Sequence, residues 1–226
     1  MISSLFHRMV LSASLAVLCA GNAFAMDVRA TVQDDAGKPV KDAVLYATIL
    51  DSGAPPPRKP LDAVMDQRDK EFVPYVLPIQ TGTTVYFPNH DDLRHQVYSI
   101  SPAKKFQLPL YKSMPPSPVL FDRPGVVVLG CNIHDWMVAY IYVMETPYFA
   151  KAGEDGKAEI RNLPQGTYEV RVWHPLMKGA VESTGKRIAA APRDGADGDL
   201  ELSFRITLKP EWRPPRAPAS EGGRYH

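Results

Sequence analysis

A cysteine, two histidines and a methionine stand in an order that suits one metal ion. Cys131-Asn-Ile-His134-Asp-Trp-Met137 supplies a thiolate, an imidazole and a thioether within seven residues, and His95 lies upstream in Asn89-His-Asp-Asp-Leu-Arg-His95-Gln-Val97. Two His and one Cys in a trigonal plane, with a weak axial Met, hold a mononuclear blue-copper ion. Copper alternating between Cu(I) and Cu(II) needs a soft sulfur for one state and nitrogen for the other, and these side chains offer both. The chemistry expected is reversible uptake of one electron at one copper ion, in an exported protein.

Cysteine usage points the same way. The chain has two cysteines, and Cys19 falls in a stretch that reads as a secretory signal. Arg8 gives a positive start, Met9–Ala20 an apolar core, and Ala23-Phe24-Ala25 a small-x-small cleavage site near Ala25. The mature chain would then begin near Met26, in the periplasm, with Cys131 as its lone thiol. Such a thiol has no disulfide partner in an oxidising compartment. A metal that holds it as thiolate is one reason to keep it. A buried, inert Cys is the alternative, and the His and Met that follow at intervals of three argue against that alternative. No stretch reaches the roughly 20 apolar residues of a membrane helix, so no transmembrane anchor is expected. With a formal net charge of +1 and no basic stripe, nucleic acid is not an expected partner.

The elements that must position these residues read as strands. Helical periodicity is nearly absent, and short runs of β-branched and aromatic residues alternate with turn chemistry, which predicts an all-β sandwich architecture. Strands are expected at 28–32, 42–50, 63–67, 75–80, 83–87, 95–100, 119–121, 125–129, 139–144, 157–160, 168–173 and 200–208. Gly53–Pro60 reads as a stiff proline-rich linker, 102–118 as a surface excursion, 162–166 as a tight connection, 187–198 as a mobile loop and 210–226 as a disordered tail.

Two family resemblances lie on these residues. Residues 61–146, through Phe72-Val-Pro74, Leu77-Pro-Ile-Gln-Thr-Gly82-Thr-Thr-Val85-Tyr-Phe87-Pro-Asn89, His95-Gln-Val97 and Gly130-Cys131-Asn-Ile-His134-Asp-Trp-Met137, resemble a plastocyanin-like cupredoxin. That resemblance implies a Greek-key β-sandwich and His95, Cys131, His134 and Met137 as copper ligands. The chain departs from plastocyanins in placing only Asp135 and Trp136 between the second His and the Met, which puts the geometry of the axial bond in doubt. Gly37-Lys-Pro39-Val-Lys-Asp-Ala43-Val44 and Asp155-Gly156-Lys-Ala-Glu-Ile160-Arg-Asn-Leu163-Pro-Gln-Gly166-Thr-Tyr168 resemble two pieces of a carboxypeptidase regulatory-like (prealbumin-like, Ig-like) sandwich. The implied organisation is a discontinuous Ig-like sandwich, 26–60 and 147–209, with the cupredoxin at 61–146 inserted in or joined to it. Together the chain resembles the periplasmic cupredoxin-like proteins labelled methylamine utilization proteins.

The resemblance implies one-electron transfer through one copper ion, with a periplasmic redox protein such as a c-type cytochrome or a dehydrogenase as partner. Copper delivery and a non-redox adaptor role are the competing classes. Enzymatic activity is not expected, because further His-x-His pairs, a Ser-His-Asp arrangement, a phosphate loop and zinc-type Cys pairs are all missing from the sequence. Among neighbours, Gln96 is a candidate hydrogen-bond donor near the Cys strand. Trp136 is either a wedge closing the short loop or a docking surface. His90 reads as a solvated loop residue, His174 as structural, Met144 as core, and Asp91, Asp92 and Asp135 as turn and surface residues.

Overall fold

The computed structural model describes residues 25–51, 61–115, 117–191 and 199–211. The expected signal segment, the proline-rich linker and nearly all of the expected C-terminal tail lie outside the described residues. Among the described residues seventeen strands run in order: β1 (Ala25–Gln33), β2 (Val44–Ile49), β3 (Asp62–Val64), β4 (Asp66–Arg68), β5 (Glu71–Val73), β6 (Val76–Gln80), β7 (Thr83–Tyr86), β8 (Tyr98–Ser101) and β9 (Lys104–Gln107) come first. β10 (Val119–Phe121), β11 (Gly125–Gly130), β12 (Val138–Met144), β13 (Phe149–Lys151), β14 (Lys157–Pro164), β15 (Gly166–Trp173), β16 (Lys186–Ala190) and β17 (Leu200–Arg205) follow. The one helical piece among the described residues is a 3-10 turn at Val181–Thr184, and no helix there is long and apolar enough to cross a membrane. The chain is an all-β sandwich fold.

The strands fall into two groups, each around its own apolar cluster. Sheets β14-β1-β17 and β13-β2-β15-β16 enclose the first. Alternation decides what enters it: Met26, Val28, Ala30 and Val32 of β1 face Tyr168, Val170 and Val172 of β15, all buried. Sheets β10-β7-β3 and β6-β12-β11-β8-β9 enclose the second, with the β4-β5 hairpin at one end. Its core includes Val85, Phe87, Leu129 and Ile141, together with Cys131 and Met137. The chain leaves the first group after β2 and re-enters it at β13.

The two groups meet through β2 and β12, and both strands are apolar on both faces for that reason. β2 sends Leu45 and Ala47 into the first core and Val44 and Tyr46 outward. β12 sends Ala139, Ile141 and Val143 into the second core and Met144 outward, so Met144 is buried at the junction rather than within a sandwich.

Four expectations change. Residues 102–118 are not a loose excursion: β9 pairs with β8, and Leu108 and Tyr111 are buried. Lys186–Ala190 pairs with β15 instead of beginning a loop. β14 runs on to Pro164, leaving Gln165 alone to connect it to β15, with the extra kink taken up by Asn162 at φ 56°. His95 precedes its strand and is held by an isolated bridge to Tyr111. β5 and β13 carry three residues each, too short for an alternation pattern to reveal.

Candidate metal centre

His95 is held in place by backbone on both sides. Its N–H donates to Tyr111 O and its carbonyl accepts from Tyr111 N–H, each at 3.0 Å. Asn89 organises the loop before it: the side-chain amide donates to Leu93 O at 2.9 Å and Tyr111 O at 3.1 Å, and Oδ1 accepts from Asp91 N–H at 3.0 Å. The segment wrongly expected to be a surface excursion thus forms the floor under the first histidine.

Cys131 follows the last residue of β11. Gly130 stands before it because a Cβ there would lie 2.7 Å from the Tyr98 ring that covers the strand. The chain turns at once, with Met137 N–H donating to His134 O at 3.0 Å, and β12 begins at Val138. Cys131 and His134 are thereby delivered from one short loop to the place where His95 waits.

The three donor atoms of His95, Cys131 and His134 lie within 4.8 Å of one another, and all three residues are buried. Met137 is 1% exposed and belongs to the same cluster as Cys131. His95 Nδ1 faces Cys131 Sγ at 3.9 Å, while His95 Nε2 donates to Asp91 Oδ2 at 2.7 Å. The carboxylate only accepts, so Nε2 carries a proton, and in the neutral ring the lone pair of Nδ1 then points at the sulfur. The His95 and His134 rings are 4.9 Å apart.

The electrostatics separate the three. Burial works against ionisation of Cys131, but the His95 ring and backbone hydrogen bonds from Gln96, Ile133 and His134 outweigh it and hold the thiol below its usual range. Burial also opposes charge on His95, yet Cys131 and Asp91 raise it above the ordinary histidine value. His134 is held below that value, by burial first and by His95 and Lys70 in addition. Asp91 stays a carboxylate: burial resists, but the Lys70 N–H, His95 and the Asp69 N–H keep it low.

One buried atom decides whether a metal fits. His134 Nδ1 is buried and has no hydrogen-bond partner. Leaving a polar atom so costs on the order of 1–3 kcal/mol unless something else occupies its lone pair. A neutral imidazole nitrogen beside a cysteine sulfur and a second imidazole nitrogen is a soft-plus-nitrogen donor set that suits copper. His95 Nδ1 and Cys131 Sγ are also close enough to share one ion at donor distances of about 2.0–2.3 Å.

No protein-family model and no curated protein matches this sequence. Among solved structures, the chain is similar to a copper-containing nitrite reductase from Thermus scotoductus SA-01, at 29% identity and a TM-score of 0.36 over 43% of this chain and 25% of that one. It is also similar to a purple cupredoxin from Nitrosopumilus maritimus, at 25% identity and a TM-score of 0.32 over 37% of this chain and 98% of that one. A reduced Cu(I) amicyanin variant gives 20% identity and a TM-score of 0.33 over 43% of this chain and 98% of that one. The chain thus spans a quarter of the nitrite reductase's length and nearly all of the other two.

The neighbours named from sequence fall out differently. Gln96 does reach the Cys strand's end: its backbone bonds Cys131, its side chain accepts from the Asn132 amide, and its own amide donates to Leu108 O at 3.1 Å. Trp136 is a wedge, half-buried, with its ring 5.0 Å from His134 and its indole N–H on Lys70 O at 3.1 Å. His90 is half-exposed and bonds Asp66 at 2.6 Å, away from the cluster. His174 is buried elsewhere and accepts from Leu176 N–H at 3.2 Å. Asp91 is not a plain surface residue, because it carries His95. The only sequence signal for it is its position four residues before a candidate ligand.

Proposed function

We propose that His95, Cys131, His134 and Met137 hold one copper ion and that the protein passes single electrons between redox proteins in the periplasm. The observation that carries this reading is the unpartnered Nδ1 of His134, buried against a thiol already drawn towards thiolate. Bound there, copper would supply a one-electron couple between Cu(I) and Cu(II). The chain does the rest. Burial of all three donors excludes water, and the Tyr111 bridge and the tight Cys131–Met137 turn fix the donors before any ion arrives. A site that hardly moves between two oxidation states needs that rigidity.

The surface beside the ligands suits a brief encounter with a partner. Ile133, between Cys131 and His134, is 53% exposed, and Leu93, two residues before His95, is 47% exposed. Apolar side chains on both ligand-bearing loops fit the small, weak interfaces of redox partners, below about 1,200 Å². Delivery of Cu(I) would ask for an open site with easy release, which deep burial of the donors opposes.

The test is to add Cu(II) to the purified protein and to Cys131→Ser and to record visible and EPR spectra. The expected result is an intense thiolate-to-copper band near about 600 nm that the variant lacks. A dominant band at much shorter wavelength keeps copper but assigns a distorted geometry to the short Asp135-Trp136 loop. Cu(I) bound without a Cys-dependent Cu(II) band favours delivery. Failure to bind copper in either state removes the redox reading and leaves the adaptor role.

A further inference from the structure

The Asp91 carboxylate joins three separate stretches of the chain. Oδ2 accepts from His95 Nε2 at 2.7 Å and from Lys70 N–H at 2.9 Å, and Oδ1 accepts from Asp69 N–H at 2.7 Å. Asp69 and Lys70 form the two-residue turn between β4 and β5, and both are left-handed, at φ 52° and 58°. Positive φ at both central positions is what such a hairpin turn demands. It costs energy in residues other than glycine. The far side of the same turn is also taken: Lys70 O accepts the Trp136 indole N–H at 3.1 Å. One tight turn is therefore gripped from one side by the residue that holds His95. From the other side it is gripped by a residue within the Cys131–Met137 loop.

We propose that Asp91 is a positioning residue which, through the β4–β5 turn, locks both ligand-bearing loops into one arrangement before metal binds and sets the donor strength of His95. The second half rests on the copper reading; the first does not. An ionised carboxylate offers about four lone-pair sites, and three are used here. Accepting the His95 Nε2–H makes Nδ1 a richer donor. A richer donor favours Cu(II) over Cu(I).

Asp91→Asn separates these roles, because it replaces one accepting oxygen with an NH2 that must face a donor. Asp92→Asn is the comparator: it removes the same charge one residue away, from a fully exposed carboxylate 3.7 Å from Lys112. In the metal-free full chain, hydrogen exchange of the Trp136 indole N–H is read by NMR. Asp91→Asn is expected to speed it at least tenfold, although Asp91 is bonded to the turn rather than to the indole, and Asp92→Asn to leave it unchanged. Coupling runs both ways, so Trp136→Phe should speed exchange of the Asp69 and Lys70 amides. That second variant keeps the test alive if Asp91→Asn does not fold. In the copper-loaded protein, Asp91→Asn should shift the Cu(II)/Cu(I) affinity ratio about tenfold towards Cu(I), a rise in potential of about 59 mV. Unchanged indole exchange in Asp91→Asn, unchanged turn amides in Trp136→Phe, or an equal shift in Asp92→Asn overturns the proposal. A wild-type protein that takes no copper sinks the functional reading instead, and the exchange rates still decide the clamp.

Discussion

His134 and His174 are both buried and both held below the usual histidine range, yet only one has its ring nitrogen free. At His174 the lone pair on Nδ1 is satisfied by Leu176 N–H, which makes it a structural neutral imidazole. Burial lowers its pKa despite the nearby Asp42 and Glu211 carboxylates. The unfolded chain takes up a proton near pH 6.5, whereas the folded chain resists until a lower pH. His174 therefore contributes stability that is present above about pH 6.5 and is lost as pH falls from there towards its depressed folded value. His174→Gln should flatten that part of the curve. Denaturant unfolding at pH 7.5 and pH 5 should show the wild type losing more stability than the variant, by at most about 1.4 kcal/mol per pH unit. An equal loss in both would mean that His174 is not held neutral. At this scale the sequence shows what residue type and close spacing carry, as in the grouping of Cys131 with His134, which the structure brings together with His95. Asp91 was not readable. The two turn amides that share its oxygens lie 22 and 21 residues away, and only the fold brings them together.

The strands were legible where they alternate over five or more residues, as β1, β12 and β15 do, because period two records which face is buried. Short pieces and pieces held by side chains were not. The segment between β9 and β10 is rich in proline, so it reads as surface, but Tyr111 anchors it from within. The Tyr111 hydroxyl donates to Phe87 O at 2.6 Å and accepts from the fully buried Gln67 amide. Burial pushes its pKa well above the ordinary tyrosine value, so it remains a donor at any physiological pH. Tyr111→Phe keeps the ring and removes both bonds. The Gln67 amide still donates to Pro88 O at 3.1 Å and Phe87 O at 3.3 Å, so the cost is that of the two lost bonds rather than of orphaned groups. A loss of about 1–3 kcal/mol is expected by denaturant unfolding. The absorption of the copper-loaded protein should stay in place, because the backbone bridge to His95 does not use the hydroxyl. A loss below about 0.5 kcal/mol would show that Gln67 re-pairs, and that the backbone bridge alone holds the segment.

The whole molecule is two sandwiches joined by aromatic rings, which no strand pattern could reveal because the rings look like ordinary outward positions of β2, β12 and β15. Trp173 is the hub: its ring lies 4.6 Å from Tyr142 and 6.4 Å from Tyr140, while Tyr46 meets Tyr142 edge-on at 5.8 Å and Tyr75 meets Tyr140 at 5.5 Å. The buried part of this junction is small among the described residues: Val44, Tyr46, Val76 and Met144. Each sandwich has a larger core of its own, so neither depends on the junction to bury its strands. What the junction adds is cooperativity and a fixed bearing of one sandwich on the other. Truncating a fully buried Trp costs about 3–5 kcal/mol; Trp173 is only half-buried, so Trp173→Ala should cost less than that. The loss should fall on the coupling rather than on either core. Calorimetry of the wild type should give one unfolding transition and Trp173→Ala two, with only one of the two moved upward when copper is added, since a ligand that binds only the folded site stabilises the part that holds it. A single transition that merely moves down in Trp173→Ala would mean that the two sandwiches are coupled by backbone at β6 and β13, and that the rings only fill the seam between them.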